Sequence, residues 1–192
     1  MIMPITAYGH PALRKVAQEI AKDHEGLDEL IDNMFETMYS SNGVGLAAPQ
    51  VNRSIRLFII DATAYEKEIP EAKDFKKVFI NPQIISRQGD EFGMEEGCLS
   101  IPGIKEEVFR PGEVHIQYYD QNWTRHDEKY EGLIGRIIQH EYDHLQGILF
   151  TDQLGMLKKT LIKRKLKDIA YGKVEAGYRM LYPNIKKKNK SL

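Results

Sequence analysis

Between residues 131 and 147 the apolar positions Leu133, Ile134, Ile137, Ile138, Tyr142 and Leu145 recur at helical spacing, and His140 and His144 fall on the stripe begun by Leu133 and Ile137. A helix with two imidazoles on its apolar side has to bury them, and buried imidazoles without partners lose hydration free energy. The rest of the chain must therefore provide a layer to cover this helix and a group to meet its histidines. His140-Glu141-Tyr142-Asp143-His144 is also an H-E-x-x-H sequence. At 3.6 residues per turn its two histidines lie one above the other and can bind one metal ion, with Glu141 near enough to act as a base toward a bound water. At this composition the pattern is expected by chance only about 0.02 times, so two merely packed or exposed histidines are the weaker reading.

Two imidazoles call for a third ligand, and the sequence offers three routes. The extension H-x-x-G-x-x-H begins with Gly147 but places Phe150 where the third histidine belongs. A downstream carboxylate would be Asp152, Asp168 or Glu175, of which Asp168 is the least awkward. The better route runs upstream, to Glu96-Gly97-Cys98-Leu99-Ser100, which sets the only thiol of the chain in a glycine-flanked turn between strands. One thiolate with two imidazoles suits a divalent transition metal with an open fourth position, although many free cysteines are simply small buried apolar residues. A third element, Gly43-Val44-Gly45-Leu46-Ala47-Ala48-Pro49-Gln50, is not a P-loop, because no Gly-Lys-Ser/Thr follows. Its small residues allow another backbone to approach closely, and Gln50 offers an amide donor beside them.

Around these motifs, Leu27, Leu30, Ile31, Met34, Phe35, Met38 and Tyr39 predict a helix over 25–41, ended by the glycines at 43 and 45. Short strands are predicted at 55–61, 78–81, 83–86, 105–110, 114–119 and 123–130, separated by Pro, Gly and Asn, and their succession suggests antiparallel pairing. A third helix is predicted over 156–170, with Leu157, Leu161, Ile162, Leu166 and Ile169 as its docking side. Helix, strands, helix, helix without βα alternation reads as α+β: mostly antiparallel short strands packed around a central metal-binding helix, with an N-terminal and a C-terminal helix. A lone cysteine, no basic segment followed by an apolar one at the start, and no apolar run near the ~18 residues of a membrane span predict a cytoplasmic protein with no membrane partner. Charge is uneven. Residues 151–192 hold twelve Lys or Arg against three Asp or Glu, a surplus of nine, so the first 150 residues carry −10 within a net −1. This basic segment is either a solvated helix face with a frayed end or an address for a polyanion.

In order along the chain, GVGLAAPQ at 43–50, EGCLS at 96–100 and QHEYDH at 139–144 resemble the three signature motifs of the peptide deformylases, which remove the formyl group from the initiator methionine of nascent chains. The opening P-I-x-x-Y-G-x-P-x-L-R at 4–14 is also similar to bacterial members, and the resemblance runs over about residues 4–150. It implies a catalytic domain over 1–155, a basic extension of the same domain over 156–185, and a disordered Lys-rich tail over 186–192. By the same resemblance Cys98, His140 and His144 hold Fe²⁺, for which Zn²⁺, Ni²⁺ or Co²⁺ can substitute, and a metal-bound hydroxide attacks the formyl carbon. Glu141 is the implied general base and acid, and Gln50 and the Leu99 N–H stabilise the oxyanion.

The resemblance further implies that an N-formyl-methionyl peptide lies extended between Val44-Gly45 and Gly97. Its methionine would enter a pocket of Val44, Leu133, Ile137 and the edge of His140. Arg136 stands where many bacterial members have an aliphatic pocket residue, so it either reaches the rim or alters the pocket. Glu96 would pair with Arg110 beneath the EGCLS turn, and Asp143 reads as exposed or as a weak outer contact. The basic C-terminus would meet the ribosome without reading a nucleic-acid sequence, and deleting 156–192 would leave hydrolysis of short formyl peptides largely intact. The same histidines could serve a general zinc endopeptidase. A metal-stabilised scaffold or nucleic-acid binder is disfavoured by Glu141, for which a closed structural site has no use.

Overall fold

A computed structural model describes residues 1–183, so the Lys-rich segment at 186–192 lies outside the described residues. The strand Leu57–Asp61 (β3) accounts for the layering. Successive side chains of a strand point to opposite faces, and here both faces are apolar. Leu57 and Ile59 share one core cluster with Ile31, Met34 and Met38 of the helix Leu27–Ser40 (α1). Phe58 and Ile60 share another with Ile134, Ile137, Ile138 and Leu145 of the helix Gly132–Leu145 (α2). The sheet is thus sandwiched between two helices, each supplying the apolar stripe its spacing predicts.

Five strands form this sheet in the order Gly45–Ala47 (β2), β3, Lys76–Cys98 (β4), Ile101–Tyr119 (β5) and Arg125–Glu131 (β6), and every neighbouring pair is antiparallel. The α+β class and the antiparallel pairing agree with the sequence reading, as does the shortness of β2, β3 and β6, but β4 and β5 are far longer than expected. Residues 76–98 and 101–119 make one long hairpin whose register shifts four times, between Ile80/Gln83, Ile84/Ser86, Gln88/Glu91 and Gly97/Cys98. What the sequence signals as breaks are bulges, which bend a strand without ending it. Asn81 shows how: its backbone has φ 47°, and its side chain bonds both the N–H and the C=O of Ile20. The turn expected around Cys98 shrinks to residues 99 and 100, so Cys98 is the last residue of β4.

Helix Met156–Ala170 (α3) buries Ile162, Leu166 and Ile169 against Leu13, Ile101, Val108, Leu149 and Phe150. Leu157 and Leu161, expected on the same docking side, are 75% and 71% exposed. At roughly 100° per residue they lie well off the direction of the buried three. Beyond α3, Met180–Leu181 (β7) pairs in parallel with Ile5–Thr6 (β1), which ties the late part of the chain to its beginning.

Candidate metal centre and substrate cleft

The end of β4, the middle of α2 and the segment after β2 converge on one group of side chains. Donor atoms of Cys98, His140 and His144 all lie within 4.8 Å of one another. Cys98 Sγ is 3.3 Å from His144 Nε2, and the two imidazole rings stand edge to face at 5.1 Å. Among the described residues no other group of potential ligands gathers, whether with Asp152, Asp168 or Glu175; Asp152 is hydrogen-bonded to Arg14, and Phe150 stacks on the His140 ring instead of replacing a ligand. One thiol and two imidazoles fit a divalent transition metal by donor chemistry. One buried atom without a protein hydrogen-bond partner, Glu141 Oε2, marks the same place as a polar site that the protein alone does not satisfy.

A buried ionic network supports this group. Arg110 grips Glu96 with two bonds, Nε to Oε1 at 2.7 Å and Nη2 to Oε2 at 3.0 Å, so the expected pair is present. Glu96 Oε2 lies 2.9 Å from His140 Nδ1. That contact assigns the ring proton to Nδ1 and leaves Nε2 as the lone-pair donor. Burial alone would push the Glu96 carboxyl up, but hydrogen bonds from His140 and Arg110 hold it down at about 2. Arg136 neither reaches the rim nor leaves its environment apolar. Only 3% exposed, it bonds Glu96 Oε1 at 3.1 Å and the carbonyls of Val108 and Phe92 at 2.9 and 2.6 Å. Asp143 is not exposed either: it is buried, 2.6 Å from Arg110 Nη1 and 3.4 Å from Arg87 Nη2. The missed signal was a second stripe on α2, Arg136, Gln139 and Asp143 at i, i+3 and i+7, all buried beside the histidines.

Glu141 is buried, and burial pushes its carboxyl up to about 7 against the attraction of His140. Gly45 makes the room for it: a Cβ there would stand 2.5 Å from Glu141 Oε1. Gln50 is clamped by the Ala47 N–H donating to its Oε1 at 2.8 Å, which turns Nε2 toward Cys98 Sγ at 3.4 Å and Ser100 Oγ at 3.3 Å.

These groups face a cleft of about 510 Å³. Val44, Gly45, Gly97, Leu133 and Ile137 all line it, together with Gln50, Cys98, Leu99, His140 and Glu141, whereas His144 and Arg110 lie behind the wall. Glu175, Ala176 and Tyr178 also line it; the sequence offered Glu175 only as a downstream ligand candidate, and no sequence signal pointed to the other two. The segment read as separable from the chemistry is therefore part of the cleft.

Residues 2–160 match the family model described as polypeptide deformylase. A peptide deformylase of Christiangramia forsetii is 54% identical over 194 residues, which covers 97% of this chain and 99% of that one. Another, of Flavobacterium psychrophilum, is 51% identical over 187 residues, covering 94% and 96%. The crystal structure of a peptide deformylase from Legionella pneumophila is similar with a TM-score of 0.78 at 39% identity, over 90% of this chain and 98% of that chain. No helix among the described residues is long and apolar enough to cross a membrane. With the family model spanning most of its length and such relatives matching nearly all of it, the chain belongs to the peptide deformylase family, enzymes that remove the N-formyl group from nascent peptides.

Proposed function

We propose that this chain hydrolyses the formyl group from the N-terminal formyl-methionine of newly made proteins in the cytoplasm, releasing formate, at the cleft bounded by Cys98, His140 and Glu141. The observation that carries the reading is a donor set of one thiol and two imidazoles beside a buried carboxylate oxygen without a protein partner. Cys98, His140 and His144 would hold a divalent metal, for which we name Fe²⁺, with Zn²⁺, Ni²⁺ or Co²⁺ as substitutes. Bound there, it would supply Lewis acidity, which polarises a carbonyl and makes a water easier to deprotonate.

The remaining steps belong to the protein. Glu141 accepts the proton of the attacking water and passes it to the leaving methionyl amine. Gln50 Nε2 and the Leu99 N–H donate to the formyl oxygen as negative charge develops on it. Val44, Gly45 and Gly97 flank an extended peptide backbone, and Leu133 and Ile137 receive the methionine side chain. Glu96, held by Arg110 and Arg136, fixes the His140 ring. Residues 1–155 supply the metal donors, Glu141 and the oxyanion donors, while 156–185, an extension of the same body, adds part of the cleft wall and meets the ribosome through its basic helix.

The test is formate release from formyl-Met-Ala by metal-loaded protein, with metal content measured on the same samples. Glu141→Gln should retain metal and lose turnover by at least ~10²-fold, while Cys98→Ala should lose the metal itself. Full metal occupancy in Cys98→Ala, or full turnover in Glu141→Gln, sinks the reading.

A further inference from the structure

After α3 the chain turns through Gly172 and Gly177, both at positive φ (66° and 73°), and comes back beside β1. The return is anchored at both ends of β1, by the Ile5 N–H donating to the Arg179 carbonyl and the Ala7 N–H to the Leu181 carbonyl, each at 2.9 Å. Val174, Met180 and Tyr182 pack on the core cluster of α3, against which Cys98 also packs. This strap sets Tyr178 against the turn after β4, where its hydroxyl donates to the Leu99 carbonyl at 2.7 Å.

The two-residue turn has other supports, but they grip Ser100. The Tyr8 N–H donates to the Ser100 carbonyl at 2.9 Å, and Gln50 Nε2 donates to Ser100 Oγ at 3.3 Å. Tyr178 alone among the described hydrogen-bonding side chains takes hold of Leu99, and it does so from inside the cleft it helps to line. A phenol has few rotatable bonds, so it can hold a carbonyl with little loss of conformational freedom.

We propose that Tyr178 is a positioning residue for deformylation: by gripping the Leu99 carbonyl it fixes the turn whose N–H meets the formyl oxygen, and its ring walls one side of the cleft. The proposal rests on Leu99 as an oxyanion donor, the role given to it above. A strap that only stabilised the fold would have no need to reach the reacting end of the cleft.

The test uses the full chain. Tyr178→Phe keeps the ring and removes one hydrogen bond, so kcat on formyl-Met-Ala should fall about tenfold with KM within about twofold. Melting temperature and metal content should not change. Tyr178→Ala, which also opens the wall, should raise KM as well. A second readout is independent of turnover. Cys98 is the only cysteine and Leu99 follows it, so labelling with carbonyl-¹³C cysteine and ¹⁵N leucine yields a single correlated amide signal, that of Leu99. In the diamagnetic Zn²⁺-loaded protein this signal should move in Tyr178→Phe, and its hydrogen exchange should accelerate severalfold. An unmoved signal overturns the proposal, as does a loss of kcat that follows metal loss or a lowered melting temperature. A moved signal with unaltered kcat overturns it through the role of Leu99. Wild-type protein that releases no formate overturns the deformylase reading instead, leaving the hydrogen bond demonstrated.

Discussion

A methyl group at Gly45 would stand 2.5 Å from Glu141 Oε1 and 2.8 Å from its Cδ. Gly45 has no positive φ, so alanine is acceptable to the backbone, and the nearest clashing atoms, out from Cγ at 2.9 Å, all belong to the one Glu141 side chain. A side chain end can move aside cheaply, which spares the fold. The proposed proton carrier, however, is then out of place, and displacements near 1 Å cost about 10²-fold in rate. Gly45→Ala should therefore lower kcat on formyl-Met-Ala by about a hundredfold while the melting temperature stays close to wild type, as kinetics and calorimetry can check together. The sequence pointed to Gly45 for a different reason, room for a peptide. The structure adds that glycine is needed on the enzyme's own account. Cys98, His140, His144 and Glu141 were legible because their chemistry is local: a two-histidine helix spacing and a single thiol leave few choices.

Helix α2 joins two polar stripes that behave differently. The histidine stripe could be read from spacing, whereas Arg136, Gln139 and Asp143 acquire meaning only from β4 and β5, whose Glu96 and Arg110 lie more than 25 positions away in sequence. Removing one partner from a buried ion pair leaves the others uncompensated, at about 3–5 kcal/mol. Arg110→Leu takes the shortest partner from both Glu96 and Asp143, leaving them Arg136 and the longer Arg87 contact, and we expect a loss of up to that size in urea unfolding with the metal present. Asp143→Asn keeps a hydrogen-bond acceptor for Arg110 and should lose less. If Arg110→Leu unfolds at the wild-type urea midpoint, the network carries no such weight. The helices themselves were legible because each shows one apolar face, and α3 occupies the expected range 156–170. The long hairpin was read as fragments, since a bulge carries the same Asn, Gly and Pro signals as a turn. The two-residue pairing of β1 with β7 has too little pattern to read at all.

Over the whole molecule, a body with −10 meets a basic helix whose outer side also exposes Met156, Leu157 and Leu161. The ribosome contact proposed for this helix is best tested by charge, because deletion would remove Tyr178 and the buried side of α3 with it. Lys163→Glu, Arg164→Glu and Lys165→Glu together, at three exposed positions, should abolish co-sedimentation with ribosomes and leave hydrolysis of formyl-Met-Ala unchanged. Added salt should weaken wild-type pelleting progressively, since neutralising phosphates releases counterions. Equal pelleting of both proteins would end the idea. The strap has a consequence in time as well as in space. Synthesis runs from the amino end, so the motifs at 43–50, 96–100 and 139–144 exist before Tyr178 does, and β1 waits for a partner about 175 residues later. Closing so long a loop is entropically slow, and the reward arrives only when the last contacts form. An enzyme that works on unfinished chains thus completes its own cleft late, with a segment the ribosome supplies after every other part of the site.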